Sequence, residues 1–161
     1  MTRAYRLSWW RRAVNGLVRP LARLGLAGPR THLLTVPGRV SGRPWSTPVS
    51  IVSDGNDLWL VAPYGDRNWV LNTRAAGVVE LRRGRKRKLY QAKELDPVRA
   101  VPVLRRYYEV GRVTRPFFDV SPGSTDEEWA AEAPRHPVFR LLPLAERAVA
   151  LDPAERGRDP R

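Results

Sequence analysis

The period of the hydrophobic positions changes near residue 29. Before it, Trp9, Trp10, Ala13, Val14, Leu17, Val18 and Leu21 recur at helical spacing, with Arg11, Arg12, Asn15 and Arg19 on the opposite side. That arrangement predicts an amphipathic helix within residues 1–28. Its apolar stripe suits two destinations, the core of the domain or, because paired Trp stand beside Arg, an anionic membrane surface. Arginines interrupt every apolar run before it reaches about 18 residues, which argues against a membrane span or a signal peptide. The expected location is cytoplasmic, or peripheral on the inner face of the plasma membrane if the stripe meets lipid.

After Gly28-Pro29 the pattern turns to short extended runs. Residues 32–36 and 47–53 read as strands, Asp54-Gly55-Asn56 as a turn, and residues 58–62 as the return strand of a hairpin. Asp66 is placed to cap a helix through Ala75 that brings Trp69, Leu71 and Asn72 into one neighbourhood. Residues 78–83 and 85–95 predict a second hairpin about Gly84. Asp96-Pro97 pairs an N-cap with proline at the first helical position, opening a helix with Val98, Val101, Leu104 and Tyr108 on its apolar side; Pro102 should shorten or bend it. Ser124 and Glu127 have capping-box spacing ahead of Trp129, and residues 137–142 supply a last strand. Beyond these, residues 145–161 are polar and aperiodic and predict a poorly ordered tail. Strand pairs with a few short helices in residues 29–144 predict an α+β domain built on an antiparallel sheet, most simply a small barrel.

With 161 residues, 42% of them hydrophobic, the chain can bury one core. Lysine and arginine number 29 against 16 acids, a formal charge of +13, so anionic partners are favoured. Residues 1–30 hold seven arginines and no acid, and Arg82, Arg83, Arg85, Lys86, Arg87 and Lys88 crowd around Gly84. Base-stacking aromatics are not interleaved with that cluster, Tyr90 being the nearest, which argues against nucleic acid as a partner. The chain has no cysteine, and His32 and His136 lie far apart, so thiol chemistry is excluded and a zinc or haem site is disfavoured. Both histidines read as structural. Neither G-x-G-x-x-G, a Walker-type loop nor G-x-S-x-G occurs. Asp126, Glu127 and Glu128 fall on the first turn of a helix, where their interaction with its dipole accounts for them.

The informative stretch is Gly38-Arg39-Val40-Ser41-Gly42-Arg43-Pro44, set between two strands. Two glycines permit a tight turn with bare amides, Ser41 adds a hydroxyl and two arginines add charge, which suits a loop that holds an anion. A plain connecting loop with solvated arginines is the other reading of this stretch taken alone.

The blocks Leu34-Thr35-Val36-Pro37-Gly38-Arg39 through Pro48, Asp54-Gly55, Leu60-Val61-Ala62-Pro63-Tyr64-Gly65, Trp69-Val70-Leu71-Asn72 and Arg74-Ala75 follow one another in the order and spacing of a known family. Over residues 32–95, with residues 137–142 similar to its closing segment, the chain resembles the deazaflavin-dependent nitroreductases, small actinobacterial and mycobacterial oxidoreductases that use coenzyme F420. The resemblance implies a split β-barrel preceded by a variable, sometimes membrane-associated helix. It also implies that Gly38, Arg39, Ser41, Gly42 and Pro44 hold the coenzyme's phosphate and acidic tail. Pro48, Ala62, Pro63, Tyr64 and Gly65 would line the deazaflavin ring, and Trp69 and Asn72 would close the pocket from the side. Two positions depart from the family pattern: Val40 stands where a basic residue is usual and Trp45 where arginine is usual. Arg43 supplies a charge between them, and Trp45 is free to stack on the ring or to fill the barrel.

The implied reaction is hydride transfer from the reduced coenzyme to an electrophilic small molecule such as a quinone, a nitro compound or an activated alkene. A proton must also reach the product, from water or from the phenol of Tyr107 or Tyr108; ordinary packing on a helix face is the competing account of these two residues. FMN is the alternative cofactor, since its phosphate suits the same loop, and a non-catalytic protein bound to an anionic membrane is the alternative function. The sequence is compatible with a monomer or a dimer.

Overall fold

The computed structural model describes residues 30–144; the helix and the tail expected within residues 1–28 and 145–161 lie outside them. Six strands carry the fold: β1 (Thr31–Pro37), β2 (Pro44–Asp54), β3 (Asp57–Val61), β4 (Val78–Arg83), β5 (Lys86–Glu94) and β6 (Val138–Pro143). Three α-helices, α1 (Asn68–Ala76), α2 (Pro97–Val110) and α3 (Asp126–Glu132), and two 3-10 turns, Arg115–Phe117 and Ala133–Arg135, complete it. The strands are antiparallel and close into a barrel in the order β1-β2-β3-β6-β5-β4. The α+β barrel expected from the hydrophobic pattern is therefore present, and its closure leaves few strand edges unpaired.

Alternation along the strands divides the hydrophobic residues between two cores. Leu34, Val36, Ile51, Leu60, Val79, Leu81, Tyr90, Phe139 and Leu141 fill the barrel, and Val70 of α1 enters from one end. The second core lies outside the barrel wall, where Val52, Val61 and Val138 meet Ala100, Val101, Val103, Leu104 and Tyr107 of α2, Phe118, and Trp129 of α3. Arg105 ties the two outer helices together: it donates to the Ser124 carbonyl at 2.7 Å and to Asp126, and its guanidinium lies 5.2 Å over the Trp129 ring. Deleting the Leu104 side chain, fully buried in this layer, should cost about 2–5 kcal/mol.

Several local expectations shift. Arg67, not Asp66, is the N-cap of α1; the Asp66 carboxylate instead accepts from Arg74 Nη1 at 2.8 Å, and the other face of that guanidinium holds Glu94. The capping box of α3 is Thr125 with Glu128, one residue later than Ser124 with Glu127. In α2 the buried face is Ala100, Val101, Val103, Leu104 and Tyr107, whereas Val98 is 72% exposed, because the helix lies on the barrel along a stripe rotated from the one chosen by spacing. Pro102 neither ends nor shortens α2, since it sits on the exposed side within a helix that runs on to Val110. Strand β2 begins at Pro44, three residues before the predicted start.

Antiparallel pairing sorts the loops onto two barrel ends. The loop 38–43, the turn 62–65 and α1 gather at one end, and the β2-β3 turn and the β4-β5 hairpin tip gather at the other.

Candidate functional site

Strand β2 changes partner half-way along. Residues 44–50 pair with β1, while residues 51–54 pair with β3. Among the described residues, the first half of β2 therefore pairs with a strand on one side only, and its other edge faces the chain that leaves β3 through the turn 62–65. The bond from Ile51 N–H to the Arg30 carbonyl, 3.0 Å, fixes the alternation of the ladder. It turns the main-chain groups of Trp45, Thr47 and Val49 towards β1 and those of Pro44, Ser46 and Pro48 towards the open edge. The two prolines thus occupy positions where no ladder donor is needed.

The loop 38–43 stands at one end of this cleft. It is closed by its own main chain, with Gly38 N–H donating to the Arg43 carbonyl and Gly42 N–H to the Gly38 carbonyl, both at 2.8 Å. A side chain at residue 38 would be crowded, because its Cβ would lie 3.1 Å from Ser41 Oγ and 3.2 Å from the Arg43 carbonyl oxygen. Asn72, buried on α1, pins the loop from below: its Oδ1 accepts from Arg39 N–H at 3.1 Å and from Arg39 Nη1 at 3.0 Å. Val40, Ser41, Gly42, Arg43 and Pro44 are all exposed. Trp45 pairs with Val36 of the barrel interior and shares its face, yet it is 45% exposed because it stands at the rim. It therefore does not fill the barrel. Pro48 is half-buried on the strand edge, across from Leu33.

On the far side of the cleft the turn 62–65 is backed by the chain that leads into β6. Ala62 N–H donates to the Pro137 carbonyl at 2.9 Å, and the Pro63 carbonyl lies 3.1 Å from His136 Nδ1. Tyr64 meets Phe117 edge-on, with ring centroids 4.9 Å apart. Trp69 is half-buried, packed against the barrel core with Phe139 at 6.1 Å.

The two phenols of α2 part company. Tyr107 is buried, and its hydroxyl bonds to the Thr114 side chain. Burial pushes the phenol above its ordinary value, the Thr114 bond works against that, and the charge on Tyr64 adds to it. The arrangement depends on Gly111, where a Cβ would come within 2.8 Å of Thr114 Oγ1 and 2.9 Å of the Tyr107 carbonyl. Tyr108 turns into the outer core, edge-on to Phe118 and Trp129 at 5.6 Å each and under the Arg115 guanidinium at 5.1 Å. Packing accounts for Tyr108; the Tyr107 hydroxyl is the one on the side of Tyr64. His136, read from the sequence as structural, is buried with Nε2 2.8 Å from Glu132 Oε1, a contact that their helical spacing of four residues could have signalled.

Among the described residues no cluster of three or more His, Asp or Glu could hold a metal, and no helix is long and apolar enough to cross a membrane.

Residues 6–128 match the family model described as F420H(2)-dependent quinone reductase. The chain belongs to this family. It is accordingly an F420-dependent oxidoreductase, and coenzyme F420 is its cofactor. No curated protein sequence matches it. Among solved structures, similarity extends to an F420-H2 dependent reductase, at 21% identity over 70% of this chain and 93% of that one with a TM-score of 0.45. A Listeria innocua protein named as a pyridoxamine 5'-phosphate oxidase is 14% identical over 78% of this chain and 91% of that one, with a TM-score of 0.50. General Stress Protein 26 of Bacillus anthracis is 13% identical over 78% and 88%, also at 0.50. These last two share the split-barrel fold.

The residues present fit the coenzyme of an F420-dependent quinone reductase. The loop packs its main chain tightly at Gly38 and carries a hydroxyl and two arginines, the donors and charge a phosphate requires.

Proposed function

We propose that this oxidoreductase reduces a quinone by hydride transfer from coenzyme F420 bound in the cleft between residues 44–49 and the turn 62–65. The observation that carries the reading is the arginine-bearing glycine loop, anchored by Asn72, at the end of the stretch of β2 that among the described residues pairs with β1 alone. Nitro compounds and activated alkenes accept a hydride by the same chemistry and are expected as slower substrates.

Gly38, Arg39, Ser41, Gly42, Arg43 and Pro44 bind the phosphate and acidic tail. Arg39 is preset for this by Asn72, so little side-chain entropy remains to be lost on binding. Trp45 and Pro48 line one wall of the ring site and Ala62, Pro63, Tyr64 and Gly65 the other, while Trp69 and Asn72 form its base. When bound, the reduced coenzyme supplies a hydride. The quinone thereby gains two electrons and one hydrogen, and a proton from outside the coenzyme completes the quinol. Tyr107 holds a proton at its hydroxyl across the neutral range, because burial keeps the phenol from ionising. It is the group proposed to deliver that proton, with Tyr64 between it and the cleft.

Titration of the protein with oxidised F420, followed by tryptophan emission with FMN as control, tests the site. Saturable binding of F420 and not FMN supports it. Binding of FMN alone keeps the barrel and overturns the assignment of the cleft to a deazaflavin. Steady-state reduction of a soluble quinone by reduced F420 then tests the acceptor, and turnover of nitro compounds with no quinone activity would replace it.

A further inference from the structure

We infer that His136 is a positioning residue for the coenzyme-lining turn, acting through its ring Nδ1 on the Pro63 carbonyl with Glu132 as the buried partner that holds the ring. The inference rests on the reading of the turn 62–65 as one wall of the coenzyme cleft.

Pro63 has no N–H, so its carbonyl is the one main-chain group by which that residue can be tied down. That carbonyl lies 3.1 Å from His136 Nδ1. Its peptide bond is trans, so aiming the Pro63 oxygen inward turns the Tyr64 N–H the opposite way, and the orientation of the Tyr64 peptide is set from behind. On either side the same backing segment meets the turn again. The Pro137 carbonyl takes Ala62 N–H, and Gly65 passes the Arg135 carbonyl so closely that a Cβ there would lie 3.3 Å from it.

The ring itself is held from three directions. His136 is 2% exposed, stacks on Phe118 with centroids 3.8 Å apart and planes at 17°, and sets Nε2 2.8 Å from Glu132 Oε1. Glu132, also buried, takes Asp119 N–H on Oε1 and Arg135 Nη1 on Oε2, each at 3.0 Å, and Arg135 in turn pairs with Asp119. The charged groups facing the ring are thus Glu132 on α3, Arg135 on the turn after it and Asp119 on the segment after Phe118.

Both ring nitrogens face oxygens that accept. A bare Nδ1 would set its lone pair against that of the Pro63 carbonyl, so Nδ1 carries a proton and donates it. Burial holds the ring below its ordinary value for taking up a second proton, with Glu132 and the Pro63 carbonyl acting against that and Arg135 with it. The His136–Glu132 pair links the coenzyme wall to the segment bearing Phe117 and Phe118, which covers the wall from outside.

Two substitutions separate the halves of this arrangement. In His136→Asn the side-chain amide nitrogen takes the place of Nδ1 and can still donate to Pro63; in His136→Gln it takes the place of Nε2 and reaches Glu132 instead. Without coenzyme, the Gly65 amide, bonded to the Ala62 carbonyl, should exchange about tenfold faster in His136→Gln than in the wild type and near the wild-type rate in His136→Asn. F420 affinity should follow the same split, falling about tenfold in His136→Gln alone. Equal effects of the two substitutions, or none, overturn the role of Nδ1. Should either variant fail to fold, the wild-type protein decides: an imidazole Nδ1–H resonance protected from exchange supports the assignment, and an unprotonated Nδ1 overturns it. If wild-type protein binds no F420, the coenzyme reading of the turn falls, while Gly65 exchange still judges His136.

Discussion

One oxygen, Oδ1 of Asn72, accepts both the main-chain N–H and the Nη1 of Arg39, across 33 residues of sequence. Helix α1 thereby sets the backbone of the glycine loop and the direction of its first arginine together. Asn72→Ala should cost about 1–2 kcal/mol of stability and lower F420 affinity about tenfold, because the loop loses its one side-chain anchor to α1. Asn72→Asp keeps an acceptor for both donors, so thermal melting should be near wild type while affinity for the anionic coenzyme still falls. Melting curves and F420 titrations of the two variants check the pair.

The charge of Arg39 has its own signature. Arg39→Ala should weaken F420 binding by about 1.5–3 kcal/mol, the range for a hydrogen bond to a charged group, and should flatten the dependence of affinity on salt. Arg39→Lys keeps the charge without the planar fork and should fall between the two. Titrations across ionic strength separate charge from geometry, and an unchanged Kd in Arg39→Ala would exclude the loop from the site.

The neighbouring tyrosines of α2 should respond in opposite ways. Tyr107→Phe removes a buried hydroxyl beside Thr114 and should lower kcat for quinone reduction about 10²-fold or more, with F420 affinity unchanged. Tyr108→Phe keeps the ring contacts with Phe118 and Trp129 and should leave kcat unaltered. Tyr108→Ala should lower stability by about 2–4 kcal/mol through the cavity it leaves. Steady-state kinetics and denaturant melts on the three variants decide.

Stability should fade at both ends of the pH range, for different groups. His32 is held below its ordinary value by burial, opposed by its bond to the Arg30 carbonyl and reinforced by the nearby Arg83. Below the ordinary histidine value of 6.5 the unfolded chain therefore binds the extra proton more readily than the folded one, and stability falls as pH drops. Tyr90 and Tyr107 are raised above 10 by burial, so the unfolded chain loses their protons first and stability falls as pH climbs past 10. Thermal melts across pH check this, and His32→Asn should lessen the acid limb without removing it, since burial also holds His136 below its ordinary value, while leaving the alkaline limb in place.

Much of the fold was legible because hairpins announce themselves locally. Asp54-Gly55-Asn56 and Gly84 mark tight turns between strands, and alternation flags β4 and β5 to within a residue or two. The start of β2 was harder, since Pro44 and Pro48 argue against a strand unless one knows that their missing donors face an open edge. The face of α2 was misplaced by one step because spacing cannot say which stripe meets the barrel, and Val98 lost to Ala100 and Val103. In the site, the glycine loop was visible as a motif and Asn72 as a neighbour. The Arg39 bond and the His136 bond to Pro63 were not, because each joins residues dozens apart whose meeting depends on barrel closure.

The prolines of β2 have one more effect. A strand edge left open normally invites another polypeptide to add itself, and it is the usual starting point of intermolecular sheet growth. At Pro44 and Pro48, whose main-chain groups face away from β1, there is no N–H to donate, so an incoming strand would leave carbonyls of its own unsatisfied there. A strand side on which two of the residues have no N–H to offer makes a poor template for another chain, so the prolines guard this side of the barrel against self-association.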